Sequence, residues 1–158
     1  AGTPVIGAGG IADGRGIAPA MMLGAEGFQV GTRFLAVEEC QIHQNYKELV
    51  LKAKDTDSAV TGRLVGLSPV RSVKNRYTKK LVELEKSGIT AEEFENLTVG
   101  SLRKAVQDGN LEEGSFMAGQ IAGMIHDVKP CKEIIEEMFH DAENLIRNFE
   151  KIRGVTLG

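Results

Sequence analysis

Residues 4–14 read PVIGAGGIADG, and residues 28–33 read FQVGTR. Each is a short apolar run that leads into glycine, and the two lie about one βαβ unit apart. In a parallel α/β array, both glycine turns would follow the carboxyl ends of neighbouring strands. Glycines that expose backbone N–H groups beside a helix N-terminus make a phosphate-binding site. The sequence therefore predicts a function built around a bound phosphate.

The composition is that of a globular protein and excludes several classes of function. The 158 residues are 42% hydrophobic and 26% charged, with a net charge of −3 and no Trp, so neither a basic field nor base stacking favours nucleic acid. No apolar run approaches the ~20 residues of a membrane span, and no signal peptide is evident. We expect no nucleic-acid or membrane partner, a cytoplasmic location, and reduced thiols at Cys40 and Cys131.

The N-terminus is unusual because a predicted strand begins almost at once, without Met or a preceding element. Residues 1–3 read as the end of an αβ loop. The expectation is that this chain is the carboxyl-terminal part of a longer polypeptide.

The first 44 residues predict two strands joined by a helix. Residues 4–8 and 28–31 are strand candidates, apolar without alternation, as in a parallel sheet buried on both faces. Proline is tolerated in the first turn of a helix, so Pro19 places the helix start near Ile17 or Ala18. Gly24 is expected to end this helix.

Residues 45–110 depart from the α/β pattern of the first 44 residues and are predicted to be mainly helical. We expect a helix over 45–53, a short strand over 59–64 and a helix that starts at Ser68-Pro69 and ends before Gly88. Residues 90–93 read as a capping box, and another short helix follows over 101–107.

Two further helices are predicted in the last part of the chain. Residues 114–125 are small and apolar, with Gly119 and Gly123 four apart, which predicts a buried helix closely approached by a backbone or a flat ligand. A final helix begins at Pro130. Its apolar stripe comprises Ile134, Ile135, Met138, Ala142, Leu145, Ile146 and Phe149.

The two glycine turns are more specific together than either is alone. No Gly-Lys-Ser/Thr follows the first, so it is not a Walker loop, and the dinucleotide pattern G-x-G-x-x-G is absent. Adjacent βα loops near the end of a (β/α)₈ barrel frequently hold a phosphate, and Thr32 would add a hydroxyl donor.

Five runs resemble the FMN-dependent enoyl-acyl carrier protein reductase II family, which belongs with the nitronate monooxygenases (2-nitropropane dioxygenases) among flavin TIM barrels. They are PVIGAGGIADGRG (4–16), MLGAEGFQVGTRF (22–34), NYK (45–47), VKNR (73–76) and GSFMAGQIAG (114–123). The resemblance covers nearly the whole chain, and the last run favours the reductase branch. It implies an α/β fold, the carboxyl-terminal part of a flavin-binding (β/α)₈ barrel with a mainly helical substrate-domain insertion.

The resemblance also implies a division of the chain and a set of cofactor contacts. The last barrel units would occupy 1–44, the insertion 45–110, and the return to the barrel, with a flavin-lining helix and the final helix, 111–158. The residues implied to bind FMN are Gly9 and Gly10 at its phosphate, Gln29, Val30, Gly31 and Thr32 in the second phosphate segment, and Met117 and Gln120 along the flavin. No metal site is expected.

The resemblance implies that the intact enzyme uses NADH or NADPH to reduce trans-2-enoyl-acyl carrier protein in fatty acid biosynthesis. The family's catalytic histidine lies in a Gly-Gly-His loop that this chain lacks, so no catalytic residue is expected here. His43, His126 and His140 read as surface or capping residues. The expected partners are the acyl carrier protein thioester, the missing amino-terminal half of the barrel and a second copy in a homodimer.

Three alternatives stay open from the sequence. The cations Arg71, Lys74, Arg76, Lys79 and Lys80, expected on one helix, read as a solvated face or as a contact for an anionic partner, either the carrier protein or the phosphates of the nicotinamide cofactor. A nitronate monooxygenase would share both glycine turns. A half-barrel that only binds a phosphorylated ligand or a partner chain is the non-catalytic alternative.

Overall fold

The computed structural model describes residues 2–153. It begins with a βαβ unit made of strand β1 (Ile6–Ala8), helix α1 (Gly14–Met22) and strand β2 (Gly27–Gln29). The strands are parallel, and Ala8 is paired with Gln29 at their carboxyl ends. The turns that follow β1 and β2 therefore lie at the same edge of the sheet, as the sequence predicts.

Helix α1 begins earlier than expected, so the prediction of a start at Ile17 or Ala18 is wrong. The carboxylate of Asp13 accepts a 2.9 Å hydrogen bond from the amide of Arg15 and caps the helix there. Pro19 consequently lies inside the helix, where it cannot donate to the carbonyl of Arg15. Both residues are exposed, so water can satisfy that carbonyl.

The middle of the chain combines helices with a β-hairpin. Its elements are α2 (Gln44–Lys52), β3 (Ser58–Thr61), β4 (Val70–Val73), α3 (Arg76–Lys86), α4 (Ala91–Thr98) and α5 (Ser101–Val106). Strands β3 and β4 are antiparallel, with Ser58 opposite Val73. The capping box at Thr90 is confirmed, since its hydroxyl and the Glu93 carboxylate bond reciprocally to the backbone.

The predicted helix from Ser68 is wrong in its first part. Val70 and Val73 fit the helical spacing of the residues after them, but they belong to β4, whose ladder with β3 satisfies the backbone. Asn75 separates the two elements: its side-chain oxygen accepts a 2.8 Å hydrogen bond from the amide of Thr78 and starts α3. The five cations expected on one helix are therefore divided among β4, the residue after it and α3.

The buried helix predicted over 114–125, and with it the flavin-lining helix, is also wrong. Residues 114–119 are irregular, Met117 forms an isolated antiparallel bridge with Ser72, and only a 3₁₀ turn, Gln120–Met124, follows. The close approach does occur at the two predicted glycines: a Cβ on Gly123 would lie 2.8 Å from the amide nitrogen of Asp55, and one on Gly119 would lie 3.1 Å from Oγ1 of Thr32. Small residues here admit a neighbouring backbone to an irregular segment rather than to a helix.

Helix α6 (Cys131–Arg153) closes the fold by packing against α1. Ile134, Met138 and Ala142 from the predicted stripe are buried, whereas Ile135, Leu145 and Phe149 are exposed. The helices approach so closely that a Cβ on Gly14 would lie 2.5 Å from the amide nitrogen of Ala142.

A second core lies between α2, β4 and residues 116–125. Its most completely buried members are Ala36, Tyr46, Val50, Val73, Ala105, Phe116 and Ile125. The mixed α/β class is confirmed. The division into 1–44, 45–110 and 111–158 stays a prediction, and residues 1 and 154–158 lie outside the described part of the chain.

Candidate cofactor site

The turn after β1 presents bare backbone to open space. Gly9 and Gly10 have φ values of 88° and 73°, a region that favours glycine. A Cβ built on either residue would meet no atom within 4 Å, and both residues are exposed. The turn therefore leaves room for a ligand against its main chain.

The second turn lies beside it, after β2. Gln29 ends the strand and is exposed, whereas Val30 is half-buried and packs against the α1–α6 cluster. A Cβ on Gly31 would meet nothing within 4 Å. Thr32 then opens a 3₁₀ turn, Thr32–Ala36. Within the described residues, neither the amide of Gly31 nor the amide of Thr32 donates a hydrogen bond to a loop, a cap or a side chain. Both amides can therefore donate to a ligand.

Thr32 connects this edge of the sheet to the segment that carries Met117 and Gln120. Its Oγ1 accepts a 2.8 Å hydrogen bond from the amide of Gly119, across 87 positions of sequence. Because the oxygen is engaged as an acceptor, the hydroxyl proton is free to point elsewhere. Thr32 can thus join the two segments and still donate to an anion.

Residues 116–119 are held from two other directions. The amide of Val73 donates to the carbonyl of Phe116 at 2.9 Å, and that of Ala118 to Arg71 at 3.2 Å. From α2, the hydroxyl of Tyr46 donates a 2.6 Å bond to the carbonyl of Met117. The Met117 side chain remains 36% exposed. The segment is a fixed support with an accessible methionine at its surface, and Gln120, also exposed, follows at the start of its 3₁₀ turn.

Burial perturbs the ionisation of the tyrosine in this support. The Tyr46 ring is 2% exposed and packs edge-on against Phe116, with 4.9 Å between the ring centroids. Loss of hydration disfavours the phenolate and raises the pKa of Tyr46 to about 12. Tyr46 therefore remains a neutral hydrogen-bond donor throughout the physiological range.

A buried arginine anchors the 3₁₀ turn that Thr32 opens. Arg33 lies with its guanidinium 2.6 Å from the carboxylate of Asp127, and it also donates to the carbonyls of Ala36 and Asp127. Sequence reasoning missed both Arg33 and Tyr46 as supports. The run NYK did mark the position of Tyr46, but its partner at residue 117 is visible only in three dimensions.

The arrangement suits an anion with an attached flat or apolar group. Two open glycine turns and the Thr32 hydroxyl offer neutral donors at the carboxyl ends of parallel strands, where phosphates commonly bind. Met117 and Gln120 extend the same region through the Thr32–Gly119 link. The space beside the backbone at Gly10 and Gly31 is open, and a Cβ on either residue would occupy part of it. This phosphate cradle, formed by the two glycine turns, therefore fits the phosphate of FMN.

The histidines do not converge on this region. His43 caps α2 by accepting a 3.1 Å bond from the amide of Asn45, whereas His126 and His140 are exposed. Cys40 and Cys131 are half-buried free thiols. No helix among residues 2–153 is both long and apolar enough to cross a membrane.

Comparison with known proteins identifies the family. A family model described as nitronate monooxygenase matches residues 2–141, so the chain belongs to that family of oxidoreductases. A probable nitronate monooxygenase from Staphylococcus saprophyticus is 34% identical over 144 residues, 90% of this chain and 40% of that protein.

Solved structures give a closer match. FabK from Thermotoga maritima is 46% identical, with a TM-score of 0.87, and the match covers 98% of this chain and 48% of that one. A nitroalkane oxidase from Streptomyces ansochromogenes is 26% identical, with a TM-score of 0.71, over 91% and 40% of the two chains. The FabK-like assignment and the partial (β/α)₈ barrel are therefore confirmed. The chain spans about half the length of these relatives.

Proposed function

We propose that this chain is the cofactor-binding part of an FMN-dependent enoyl-acyl carrier protein reductase that uses NADH or NADPH. The observation that carries the proposal is the match to FabK, an enoyl-acyl carrier protein reductase II. This chain is more similar in sequence to FabK than to the nitroalkane oxidase, and the match to FabK covers more of the chain. The open glycine turns and the Thr32 link support FMN as the cofactor.

The chain's own residues would bind and orient the cofactor. The backbone at Gly9, Gly10 and Gly31 and the hydroxyl of Thr32 would hold its phosphate, with Gln29 and Val30 completing the second segment. Met117 and Gln120 would lie along the ring system. When bound, FMN supplies hydride chemistry between the nicotinamide and the unsaturated thioester. The protein's contribution here is position: Tyr46 and Thr32 fix the segment that carries Met117 relative to the phosphate turns.

We also propose that a preceding segment completes the barrel and supplies the catalytic histidine. In the described residues the parallel sheet has only two strands, and apolar side chains of Val5, Ile6 and Leu23 are 58%, 56% and 90% exposed. Such surface is costly to leave in water, and added strands would cover it. The complete protein, meaning this chain behind its amino-terminal segment, is then expected to be a homodimer.

The acidic acyl carrier protein is the proposed macromolecular partner, with cations of α3 as its contact. Arg76 is paired with Glu112 at 2.8 Å, whereas Lys79 and Lys80 make no ion pair with any described residue. Both lysines are exposed. Exposed cations of this kind would mainly accelerate encounter with an anionic partner.

The discriminating experiment uses the complete protein with FMN bound, mixed anaerobically with NADH or NADPH. Rapid bleaching of the flavin, followed by reoxidation on addition of a crotonyl thioester, is the result expected of the reductase. If neither NADH nor NADPH reduces the flavin, and the protein oxidises an alkyl nitronate with oxygen, the activity is instead that of a nitronate monooxygenase. A folded protein that binds FMN and does neither would be a non-catalytic binding module.

A further inference from the structure

A small, partly open cavity adjoins Met117 on the side of the helical insertion. It lies between the β3–β4 hairpin, helices α3 to α5 and residues 115–117, and its volume is about 180 Å³. The side chains that define its shape include Val70, Leu81, Phe94, Leu102, Ser115 and Met117. Pockets that enclose a whole small ligand usually measure ~300–1,000 Å³, so this one suits a single tail of a larger molecule.

The walls of this cavity carry no charge. None of its described lining residues is acidic, basic or a histidine. The neighbouring cleft between α3 and α5 is about 710 Å³ and contrasts with it, since Lys80, Lys104 and Glu113 are among its lining residues. An anionic or cationic group would gain nothing in the smaller cavity and would lose its hydration there.

Three of the five hydroxyl groups along the walls are satisfied within the protein, and those of Thr61 and Ser68 are the other two. Thr98 Oγ1 donates to the carbonyl of Glu95 at 2.9 Å, and Ser101 Oγ to that of Thr98 at 2.7 Å. The hydroxyls of Ser115 and Ser72 pair at 3.2 Å. With these three hydroxyls engaged, most of the surface that the cavity offers to an occupant is apolar.

One wall is fixed by a buried carboxylate rather than left to a mobile loop. Glu85 is 7% exposed and accepts hydrogen bonds from the amides of Gly62, at 2.7 Å, and Leu64, at 3.2 Å. Gly62 itself lines the cavity. The loop between β3 and β4 is thereby held against α3, and the cavity is preformed.

We propose that this cavity binds the aliphatic tail of the acyl substrate. The inference rests on the proposed function, because Met117 borders both the cavity and the region assigned to the flavin. A thioester whose reacting carbons lie beside Met117 would direct its uncharged tail into the cavity. Leu102 lines the cavity from α5 and Leu81 and Phe94 line it from α3 and α4, so these residues would set the preferred tail length.

Binding is tested with methyl-labelled complete protein, titrated with the octanoyl and acetyl thioesters of N-acetylcysteamine, which are saturated and cannot be reduced. Octanoyl thioester is expected to shift the methyl resonances of Leu81, Leu102 and Met117, and acetyl thioester to leave Leu81 unchanged. Octanoyl shifts absent from these methyls, or equal for the two thioesters, would overturn the proposal.

A matched pair of variants locates the site. Leu102→Trp should fill the cavity and weaken octanoyl binding about tenfold or more. Leu97→Trp is the control, because Leu97 is also helical and is 43% exposed against 41% for Leu102, but it does not line the cavity. Equal loss in both variants would overturn the assignment. The titration needs no turnover, so a protein that binds octanoyl thioester here but reduces no enoyl thioester would refute the proposed function alone.

Discussion

The hydroxyl of Tyr46 lies 2.6 Å from the backbone carbonyl of Met117 and donates a hydrogen bond to it. The donor is a buried residue on α2, and the acceptor belongs to an irregular segment 71 positions later in sequence. No helix holds Met117 in place, so this bond, with the backbone contacts to β4, fixes its position. Tyr46 is therefore a positioning residue of the candidate site.

Removing this hydroxyl should destabilise the protein and loosen Met117. Tyr46→Phe keeps the edge contact with Phe116 but leaves the Met117 carbonyl without its donor, at a cost of about 1 kcal/mol in the free energy of unfolding. Urea unfolding gives the loss, and the Met117 methyl resonance reports its mobility. Tyr77→Phe is the control, since Tyr77 donates a 2.8 Å bond to Leu97 in a separate cluster. Equal changes at the Met117 methyl in both variants would contradict the positioning role.

The raised pKa of Tyr46 predicts that the free energy of unfolding depends on pH above about pH 10. The pKa of Tyr46 in the folded protein is raised to about 12, from the ordinary tyrosine value of 10.0. The unfolded chain therefore loses this proton first. The contribution of neutral Tyr46 is fully present below about pH 10 and is lost as pH rises through about 12. The stability difference between wild type and Tyr46→Phe should shrink across this window in unfolding curves. A constant difference would refute the assignment.

Thr32 should be replaceable by serine but not by valine. Thr32→Val preserves shape but removes the acceptor of the Gly119 amide, which costs about 1–3 kcal/mol when the donor stays buried. It also removes the hydroxyl proposed to meet the phosphate, so FMN affinity should fall as well. Thr32→Ser retains both functions. Thermal unfolding and FMN titration of the complete protein check the pair, and identical behaviour of the two variants would be incompatible with the link.

Gly14 should be intolerant of any side chain. A Cβ there would lie 2.5 Å from both the Ala142 amide nitrogen and the Asp141 Cβ, so Gly14→Ala must separate α1 from α6. Overpacking of this kind costs typically about 1–3 kcal/mol in unfolding free energy. Gly2→Ala is the control, because a Cβ on Gly2 meets nothing within 4 Å. A Gly14→Ala protein as stable as the control would mean that the helices are not so close.

The sequence predicts the βαβ unit well because its signals are local. Short apolar runs that end in glycine predict buried parallel strands, each followed by a tight turn. The pairing of Ala8 with Gln29 at the carboxyl ends of β1 and β2 agrees with this prediction. Helix α6 and the capping box at Thr90 are likewise predicted from residues that are close together in the sequence. The family resemblance added what spacing alone could not, namely the half-barrel that the comparison with FabK bears out.

The errors arise where tertiary contacts override local spacing. Val70 and Val73 continue the periodicity of α3, yet pairing with residues 58–61 makes them a strand. Residues 114–119 have helical composition, but β4, Tyr46 and Thr32 together satisfy their backbone in an irregular form. The start of α1 is a different kind of error, since the local cap at Asp13 begins the helix about one turn before Ile17 despite Pro19. The partners of residues 70–73 and of residues 114–119 cannot be identified from those segments themselves.

FMN binding by two matched glycine variants tests the central claim most directly. Gly10 and Gly24 have positive φ values of 73° and 95°, and a Cβ on either would meet nothing within 4 Å. Alanine should therefore strain both backbones similarly, by about 1–2 kcal/mol. Gly24 follows α1 at the opposite end of the strands, away from the cradle.

In the complete protein, Gly10→Ala is predicted to weaken FMN binding about tenfold or more, measured by quenching of flavin fluorescence, whereas Gly24→Ala retains wild-type affinity. Equal FMN affinity in the two variants would contradict the assignment of the glycine turns as the phosphate cradle.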